Sequence, residues 1–470
     1  MVYIAVKFLK QVNKKSSYNV NLKKGQKIVV TIKRLGINGE GIGYYKKKIV
    51  FIPNALPDEV VLASITEAKQ RYAKAKLLKI KEKSSQRVEP VDKYDVGGIE
   101  LEHLAYDAQL EFKQDVIRQA LEKYRPNGYK NYPILETLGM DDPYHYRNKA
   151  QFQVQKTKTG KVIAGLYKAN SHILVDLPTF ATQRELTMKV IRTLCQLLEK
   201  WHISIYDERK NTGTVKTLVV RESFATKQVQ LVLVTNIEKI VHKNELLADI
   251  KSLLPEVVSV MQNINQGKTS LVWGEKTLPL YGKTSITEKL GDLTFELSAR
   301  AFFQMNPIQT KVLYDEVKKA LDLKEDETLV DAYCGVGTIG LYVGKEAKEV
   351  RGMDVIDEAM QDARINAKNA GIKAHYTTGK AEDVLPQWIK EGFKFDALVV
   401  DPPRTGLDQN LIKTILQYEP QKFVYVSCNP STLARDLVEL SKKYNVDYIR
   451  SVDMFPQTAR VEAVVKLSKK

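Results

Sequence analysis

Residues 296–470 of this chain read as a Rossmann-like, doubly wound α/β domain, preceded by a small OB-like β-barrel within residues 1–83 and an α+β region over 84–295. Three observations predict this. Beyond Leu297, short apolar strands alternate with helical stretches at the spacing of a parallel sheet. One of these strands runs into a glycine loop, Gly335-x-Gly337-x-x-Gly340, of the kind that lets a backbone approach a nucleotide. Before residue 84 short strands are instead punctuated by Gly, Pro and Asn turns, as in a small barrel.

At 470 residues the chain is long enough for two or three cores. It has no run of 18 apolar residues, so no membrane partner is expected. Lys7 and Lys10 interrupt the apolar start, and no small-residue cleavage site follows, which makes a poor signal peptide and a cytoplasmic location the expectation. Cys195, Cys334 and Cys428 are far apart and odd in number, as in a reduced protein, and no Cys/His group has zinc spacing. The net charge of +17 is concentrated at one end: residues 1–83 hold 19 Lys/Arg against 5 Asp/Glu. A basic module on a nearly balanced remainder is the footprint of polyanion binding.

Residues 1–21 are basic with little pattern, a tail or an added edge strand. Lys27–Ile32, Gly39–Tyr44, Ile49–Pro53 and Glu59–Ala63 supply the short strands. Lys69, Arg71, Lys74, Lys76, Lys79, Lys81 and Lys83 then fall at nearly every second position around Ala73, Ala75, Leu77 and Ile80, giving one basic and one apolar strand face. This module resembles a TRAM domain, an RNA-binding barrel, including its Pro57-Asp58-Glu59 turn. After a polar linker, Leu101–Tyr124 carries apolar residues at spacings of three and four, the mark of an amphipathic helix. Strands dominate from Tyr144 to Tyr281, Ser270–Trp273 among them, with helices near Gln183–Lys200 and Glu245–Leu254. Tyr144-His145-Tyr146-Arg147-Asn148-Lys149 sets aromatics beside cations, suited either to base stacking with phosphate contact or to a solvated turn. Asn306-Pro307 opens a helix to Leu321, and strands Thr328–Asp331, Glu349–Asp354 and Phe395–Val400 follow.

Phe423-Val424-Tyr425-Val426 reads as a buried strand. Cys428 follows at its C-terminal end, the edge where open α/β sheets bind ligands, and Asn429-Pro430 turns the backbone so that the thiol is presented at a fixed angle. A lone cysteine is more often a small core hydrophobe, so its surroundings decide. The glycine loop alone is shared with dehydrogenases. Asp354, 19 residues after Gly335, ends the second strand, where a carboxylate can accept both ribose hydroxyls. Two features favour S-adenosylmethionine over NAD: Asp331, placed to take a ligand's ammonium, and the Asp401-Pro402-Pro403-Arg404 turn, where Asp401 can accept hydrogen bonds from an amine or a base's imino N–H.

Ala301-Phe302-Phe303-Gln304-Met305-Asn306-Pro307, Asp331-Ala332-Tyr333-Cys334-Gly335, Asp401-Pro402-Pro403-Arg404, Ser427-Cys428-Asn429-Pro430 and Asp453-Met454-Phe455-Pro456-Gln457-Thr458-Ala459-Arg460-Val461-Glu462 occur in this order along the chain. In this it resembles the RNA (uracil-5-)-methyltransferases over essentially its whole length, with most likeness to the TRAM-bearing 23S rRNA branch of Gram-positive bacteria. The resemblance implies a class I S-adenosylmethionine-dependent methyltransferase domain, with Cys428 as nucleophile toward uracil C6 and Glu462 as the base that removes the C5 proton. It further implies cofactor contacts from Gln304, Tyr333, Asp354 and Asp401, with 23S rRNA as the partner and no obligate protein partner. Read by itself, Glu462 is an exposed strand carboxylate, and Cys334 is a packing residue.

Many members of that family hold an iron–sulfur cluster through four cysteines. Here those positions correspond to Pro90, Val96, Ile99 and Phe180, so the expectation is no cluster and no metal, with an apolar core in its place. Arg404 stands where cytosine-5 methyltransferases carry a second Cys and where amino-methylating enzymes carry an aromatic residue, which favours uracil. Transfer RNA methylation at the same atom, or a non-catalytic RNA-binding or RNA-folding role, are the alternatives.

Overall fold

The computed structural model describes residues 21–169, 171–269 and 271–470. The tail or edge strand expected over residues 1–21 lies, but for its last residue, outside the described residues. Five strands, β1 (Lys27–Leu35), β2 (Gly41–Tyr45), β3 (Lys48–Ile52), β4 (Val60–Ala68) and β5 (Tyr72–Glu82), close into a barrel in the order β1-β2-β3-β5-β4. Ile28, Val30 and Ile32 alternate inward along β1, the period of two that a half-buried strand demands. In β5 the alternation is broken by register shifts against β4, so Leu78 is exposed beside the exposed Lys76, Lys79 and Lys81. Gly39, with φ +83°, lets the β1–β2 turn close on the rest of the molecule: a Cβ there would stand 2.8 Å from Leu101 and 3.5 Å from Ala459.

The Pro57-Asp58-Glu59 turn carries a fully buried carboxylate. Glu59 accepts from the Leu56 N–H (2.9 Å) and from Arg87 Nε (2.5 Å) and Nη2 (2.9 Å), while Arg87 Nη2 also reaches the Asn54 carbonyl (2.7 Å). Burial alone would raise Glu59, but the Arg87 guanidinium and these backbone donors hold it below the usual carboxylate range.

Next come α1 (Tyr106–Tyr124) and β6 (Ile134–Leu138). A seven-stranded sheet follows, built from β7 (Lys149–Lys156), β8 (Val162–Tyr167), β9 (Leu174–Asp176), β10 (Val215–Glu222), β11 (Val229–Thr235), β12 (Val257–Ile264) and β13 (Lys276–Gly282), in the order β13-β12-β11-β10-β7-β8-β9. Helices α2 (Glu185–Lys200) and α3 (Lys243–Leu253) bury Leu194, Leu198, Leu246 and Ile250 against it. The expected strand at Ser270–Trp273 is not formed at 271–273, and residue 270 is not described. The Asn265 side chain donates to the Leu271 (2.7 Å) and Val272 (2.9 Å) carbonyls and Asn263 to that of Gly274 (3.0 Å), so side chains rather than a ladder occupy these acceptors. The strand begins instead at Lys276.

After the hairpin β14 (Ser285–Leu290) and β15 (Leu293–Ser298), the chain alternates: α4 (Pro307–Leu321), β16 (Thr328–Ala332), α5 (Thr338–Val343), β17 (Glu349–Asp354), α6 (Asp357–Ala370), β18 (Ala374–Thr378), α7 (Ala381–Lys390), β19 (Ala397–Val400), α8 (Gln409–Tyr418), β20 (Lys422–Ser427), α9 (Pro430–Leu440), β21 (Tyr444–Val452) and β22 (Glu462–Lys469). The sheet order is β18-β17-β16-β19-β20-β22-β21-β6. From β18 to β20 neighbours are parallel, and β22 enters antiparallel to β20 and β21.

The division at 295/296 does not follow the packing. β6 adds to the edge of this sheet by pairing Ile134, Leu135 and Leu138 with Ile449, Arg450 and Val452, covering backbone groups that an open edge would leave unpaired. Phe112, Val116, Ile117, Ala120 and Leu121 of α1 share a core with Leu398, Tyr425 and Leu437, because the helix's apolar stripe finds cover there and not on the central sheet. Ile286, Phe295 and Leu297 of the hairpin likewise join the core on the other face. Leu101 and Leu104, expected on the helix, are buried in the turn before it.

Replacing Arg87 by Met would leave Glu59 buried without its cation, and should cost the barrel about 3 kcal/mol at neutral pH. Because Glu59 is depressed when folded, its contribution is complete above its unfolded value of about 4.3 and fades as pH falls through the lower folded value. The gap between wild type and R87M in hydrogen-exchange protection of residues 27–82 should therefore narrow below about pH 4.

Candidate active site

The carboxyl ends of the parallel strands open on one cleft of about 1130 Å³. Cys428 follows β20 directly. Asn429 caps α9, its side chain accepting from the Ser431 N–H (3.1 Å) and donating to the Arg404 carbonyl (2.8 Å), so the turn bearing the thiol is tied to the turn after β19. Pro430 at the first helical position has no N–H to satisfy. In the β20–β22 ladder Ser427 pairs with Ala463, and one further antiparallel step brings Cys428 opposite Glu462. Asp401 ends β19, its N–H donating to Ala332 (3.3 Å).

Gln304, Tyr333, Asp354, Asp401, Cys428 and Glu462 all line this cleft. Tyr333 sits at φ 67° where β16 turns into the glycine loop, a backbone conformation that a bulky residue adopts only under constraint. Asp354 accepts from the Gly335 (3.2 Å) and Ile356 (3.1 Å) N–H groups at the end of β17. Gln304 is almost completely buried just before α4, and its carbonyl accepts from the Asn148 side chain (3.1 Å).

Asp331 is not part of the wall. It is wholly buried, one oxygen accepting from the Gly340 N–H (2.7 Å) and the other without a partner, so it braces the glycine loop from beneath and is not among the residues that line the cleft. Of the Tyr144–Lys149 hexamer only Arg147 reaches the cleft. Tyr146 is buried with its hydroxyl on the Pro456 carbonyl (2.9 Å), and its ring is not free to stack. Cys334 packs against Met360 under the loop, as a core residue.

Several wall residues were not singled out for a role in the sequence. Phe302 is 59% exposed while its neighbour Phe303 is buried. An aromatic pair of which only one member can enter the core was the available signal. Val355 and Ile356, 62% and 48% exposed, form an apolar ledge beside Asp354. At Gly335, φ +53°, no atom lies within 4 Å of where a Cβ would stand. Open space over the loop, the apolar ledge and a carboxylate at the strand end fit the nucleoside part of S-adenosylmethionine.

Of the four positions where the resemblance led to the expectation of an apolar core, Val96, Ile99 and Phe180 are buried in one apolar cluster with Ala150 and Phe152, and Pro90 is half-buried. Among the described residues no group of three His, Cys, Asp or Glu side chains is placed to hold a metal.

Burial, then the charges of Glu462 and Asp401, push the Cys428 thiol up to about 12, against the pull of Arg404. Burial raises Asp401 to about 7. Glu462 is pushed well above the ordinary carboxylate value by burial and then by Asp401, opposed by Arg404 and Lys113.

A doubly wound sheet, a glycine loop opening on an adenosine-sized cradle, and a thiol facing a buried acid define an S-adenosylmethionine-dependent methyltransferase. The chain belongs to the tRNA (uracil-5-)-methyltransferase family, whose sequence model matches residues 105–470, while a TRAM domain matches residues 21–78. It is 58% identical over 463 residues to an uncharacterized RNA methyltransferase of Lactiplantibacillus plantarum, covering 98% of this chain and 96% of that one. An uncharacterized RNA methyltransferase of Enterococcus faecalis is 56% identical, with 96% and 99% covered. The crystal structure of the Pyrococcus abyssi tRNA (uracil-54, C5)-methyltransferase in complex with S-adenosyl-L-homocysteine is similar at a TM-score of 0.76 and 28% identity, over 93% of this chain and 99% of that one.

Because Asp401 raises the thiol and Arg404 lowers it, Asp401→Asn should speed iodoacetamide labelling of Cys428 at pH 9 and Arg404→Met should slow it, read by peptide mass spectrometry. The opposite order would overturn the electrostatic assignment. Asp354→Ala should raise the KM for S-adenosylmethionine by roughly tenfold with a smaller change in kcat, since it removes binding shared by ground and transition states.

Proposed function

We propose that this enzyme forms 5-methyluridine in 23S rRNA, with Cys428 as nucleophile and Glu462 as base. The observation that supports the reading is the register of β20 against β22, which ends with Ser427 paired to Ala463 and so leaves Cys428 and Glu462 at the mouth of neighbouring strands. Both line the cleft with Asp401, which follows β19 on the other edge of β20. Uracil C5 is a weak nucleophile. Once the Cys428 S–H proton has passed to solvent, addition of the thiolate to C6 pushes the C5=C6 pair toward C5, which becomes enolate-like. Gln304, Tyr333, Asp354 and Asp401 would hold S-adenosylmethionine, which would supply C5 with a methyl group from its positively charged sulfur, the S–CH3 pair staying on sulfur to give S-adenosylhomocysteine. Glu462 then takes the C5 proton, the C5–H pair restores the double bond, and the Cys428 thiolate leaves. Asp401 accepts from the base's imino N–H. The uridine must leave its stack to reach the thiol, and the exposed ring of Phe302 at the cleft offers a face for an unstacked base.

The basic barrel supports an RNA substrate without choosing among RNAs. A second reading, methylation of transfer RNA at the same atom, is favoured by the likeness to the Pyrococcus enzyme, which extends over 93% of this chain. RNA transcribed with 5-tritiated uridine separates the two: tritium release from 23S rRNA and not from transfer RNA supports the first reading, and the reverse result supports the second. Release should be abolished in Cys428→Ala, and release unchanged by that substitution would end the nucleophile assignment.

A further inference from the structure

The nine residues between β21 and β22 deliver Glu462 to the cleft, and they are held from behind by α1, a helix that precedes the central sheet in the chain. Lys113 is completely buried, bonds Asp453 Oδ1 and donates to the Phe455 carbonyl (2.9 Å). Tyr106 Oη donates to Asp453 Oδ2 (2.8 Å). Gln109 donates to Gln457 Oε1 (2.8 Å) and accepts from the Gln457 N–H (3.0 Å), which fixes that residue at φ 67°. Val452, next to Asp453, is the ladder partner of Glu462. None of Tyr106, Gln109, Lys113 or Asp453 lines the cleft.

A buried lysine paired with a buried carboxylate is a costly way to hold a loop, since apolar residues of similar size stabilise as well or better. An ammonium has something that an apolar residue lacks, a positive charge behind the loop. Lys113 and Glu462 are felt by one another, and with Arg404 it is one of two cations that favour the ionised form of Glu462.

We propose that Lys113 is a positioning residue for the second half of the reaction, holding the 453–461 loop so that the Glu462 carboxylate faces the C5 proton. This rests on the proposed function. It assigns Lys113 to proton removal and thiol elimination and not to methyl transfer, because Cys428, Asp401 and Gln304 are carried by other elements. After methyl transfer the base remains bonded to Cys428 through C6. It is released only when Glu462 takes the C5 proton, the freed pair re-forms C5=C6 and the C6–S bond breaks toward sulfur. Misplacing Glu462 therefore prolongs the methylated covalent adduct.

The test is a single-turnover reaction with radiolabelled methyl donor and substrate RNA, following labelled RNA and denaturation-resistant protein–RNA adduct over time. Glu462→Gln is the reference for blocked elimination. Lys113→Met should form methylated adduct at close to the wild-type rate and resolve it roughly tenfold or more slowly. Since that change strands Asp453, the neutral pair Lys113→Met/Asp453→Asn is measured beside it, and either folded variant decides the matter. Methyl transfer slowed in the same proportion as resolution, resolution at the wild-type rate, or failure of both variants to fold would overturn the proposal in favour of a purely structural pair. If wild type transfers no methyl group and Glu462→Gln traps nothing, it is the proposed function that fails.

Discussion

The structure depends on one strand running the wrong way. Five parallel strands, from β18 to β20 across the sheet, could present a nucleotide at their carboxyl edge unaided, but none of them could bring a second acid to face the thiol. β22 enters antiparallel beside β20, so its first residue lies where β20 ends. The side-chain period of a strand is two, and a slip of one residue would turn Glu462 to the opposite face and place Val461 or Ala463 in its stead. The register is pinned on both sides: Ser427 to Lys422 pair with Ala463 to Ser468 on one edge, and β21, itself covered by β6, pairs along the other. Val464 and Val465 fill opposite cores and would both be expelled by such a slip.

That register sets acidic groups against each other in a dry place. Cys428, Asp401 and Glu462 each resist ionisation, and each ionised neighbour makes it harder for the next. Arg404, carried on the turn that Asn429 ties to the thiol's own turn, is the cation felt by both Cys428 and Glu462. Proton affinity is therefore raised at all three groups, which suits chemistry in which sulfur gives up a proton and carbon later loses one.

Much of this was legible in the sequence because the decisive residues sit where local chemistry marks them. Cys428 and Asp401 each follow a run of buried β residues, Asp401 directly before Pro402 and Cys428 directly before the Asn429-Pro430 turn, and the strand end with its turn locates them without knowledge of the rest. The glycine loop and Asp354 are equally local. What could not be read depends on partners far along the chain or on which way a pleat points. Ile134–Leu138 is only half-buried and lacks a clean alternation, so nothing in it announces a strand whose partners lie beyond residue 448. Lys113 resembled any lysine on a helix, its partner being 340 residues away. Asp331 has the right residue type at a strand end, yet its side chain is turned under the glycine loop. Ser270–Trp273 has strand-like composition, but Asn263 and Asn265 had already claimed part of that segment's backbone acceptors.

The closeness of Gly39 to Leu101 and Ala459 joins the barrel to the segment that leads to Glu462. Arg34 adds a second attachment, donating to Gln119 on α1 (2.6 Å). With its tip seated against the segment that leads to Glu462, the barrel is no freely swinging tether but a fixed arm. The distance from the barrel's exposed lysines to the cleft is thereby set by the fold and not by the slack of a linker.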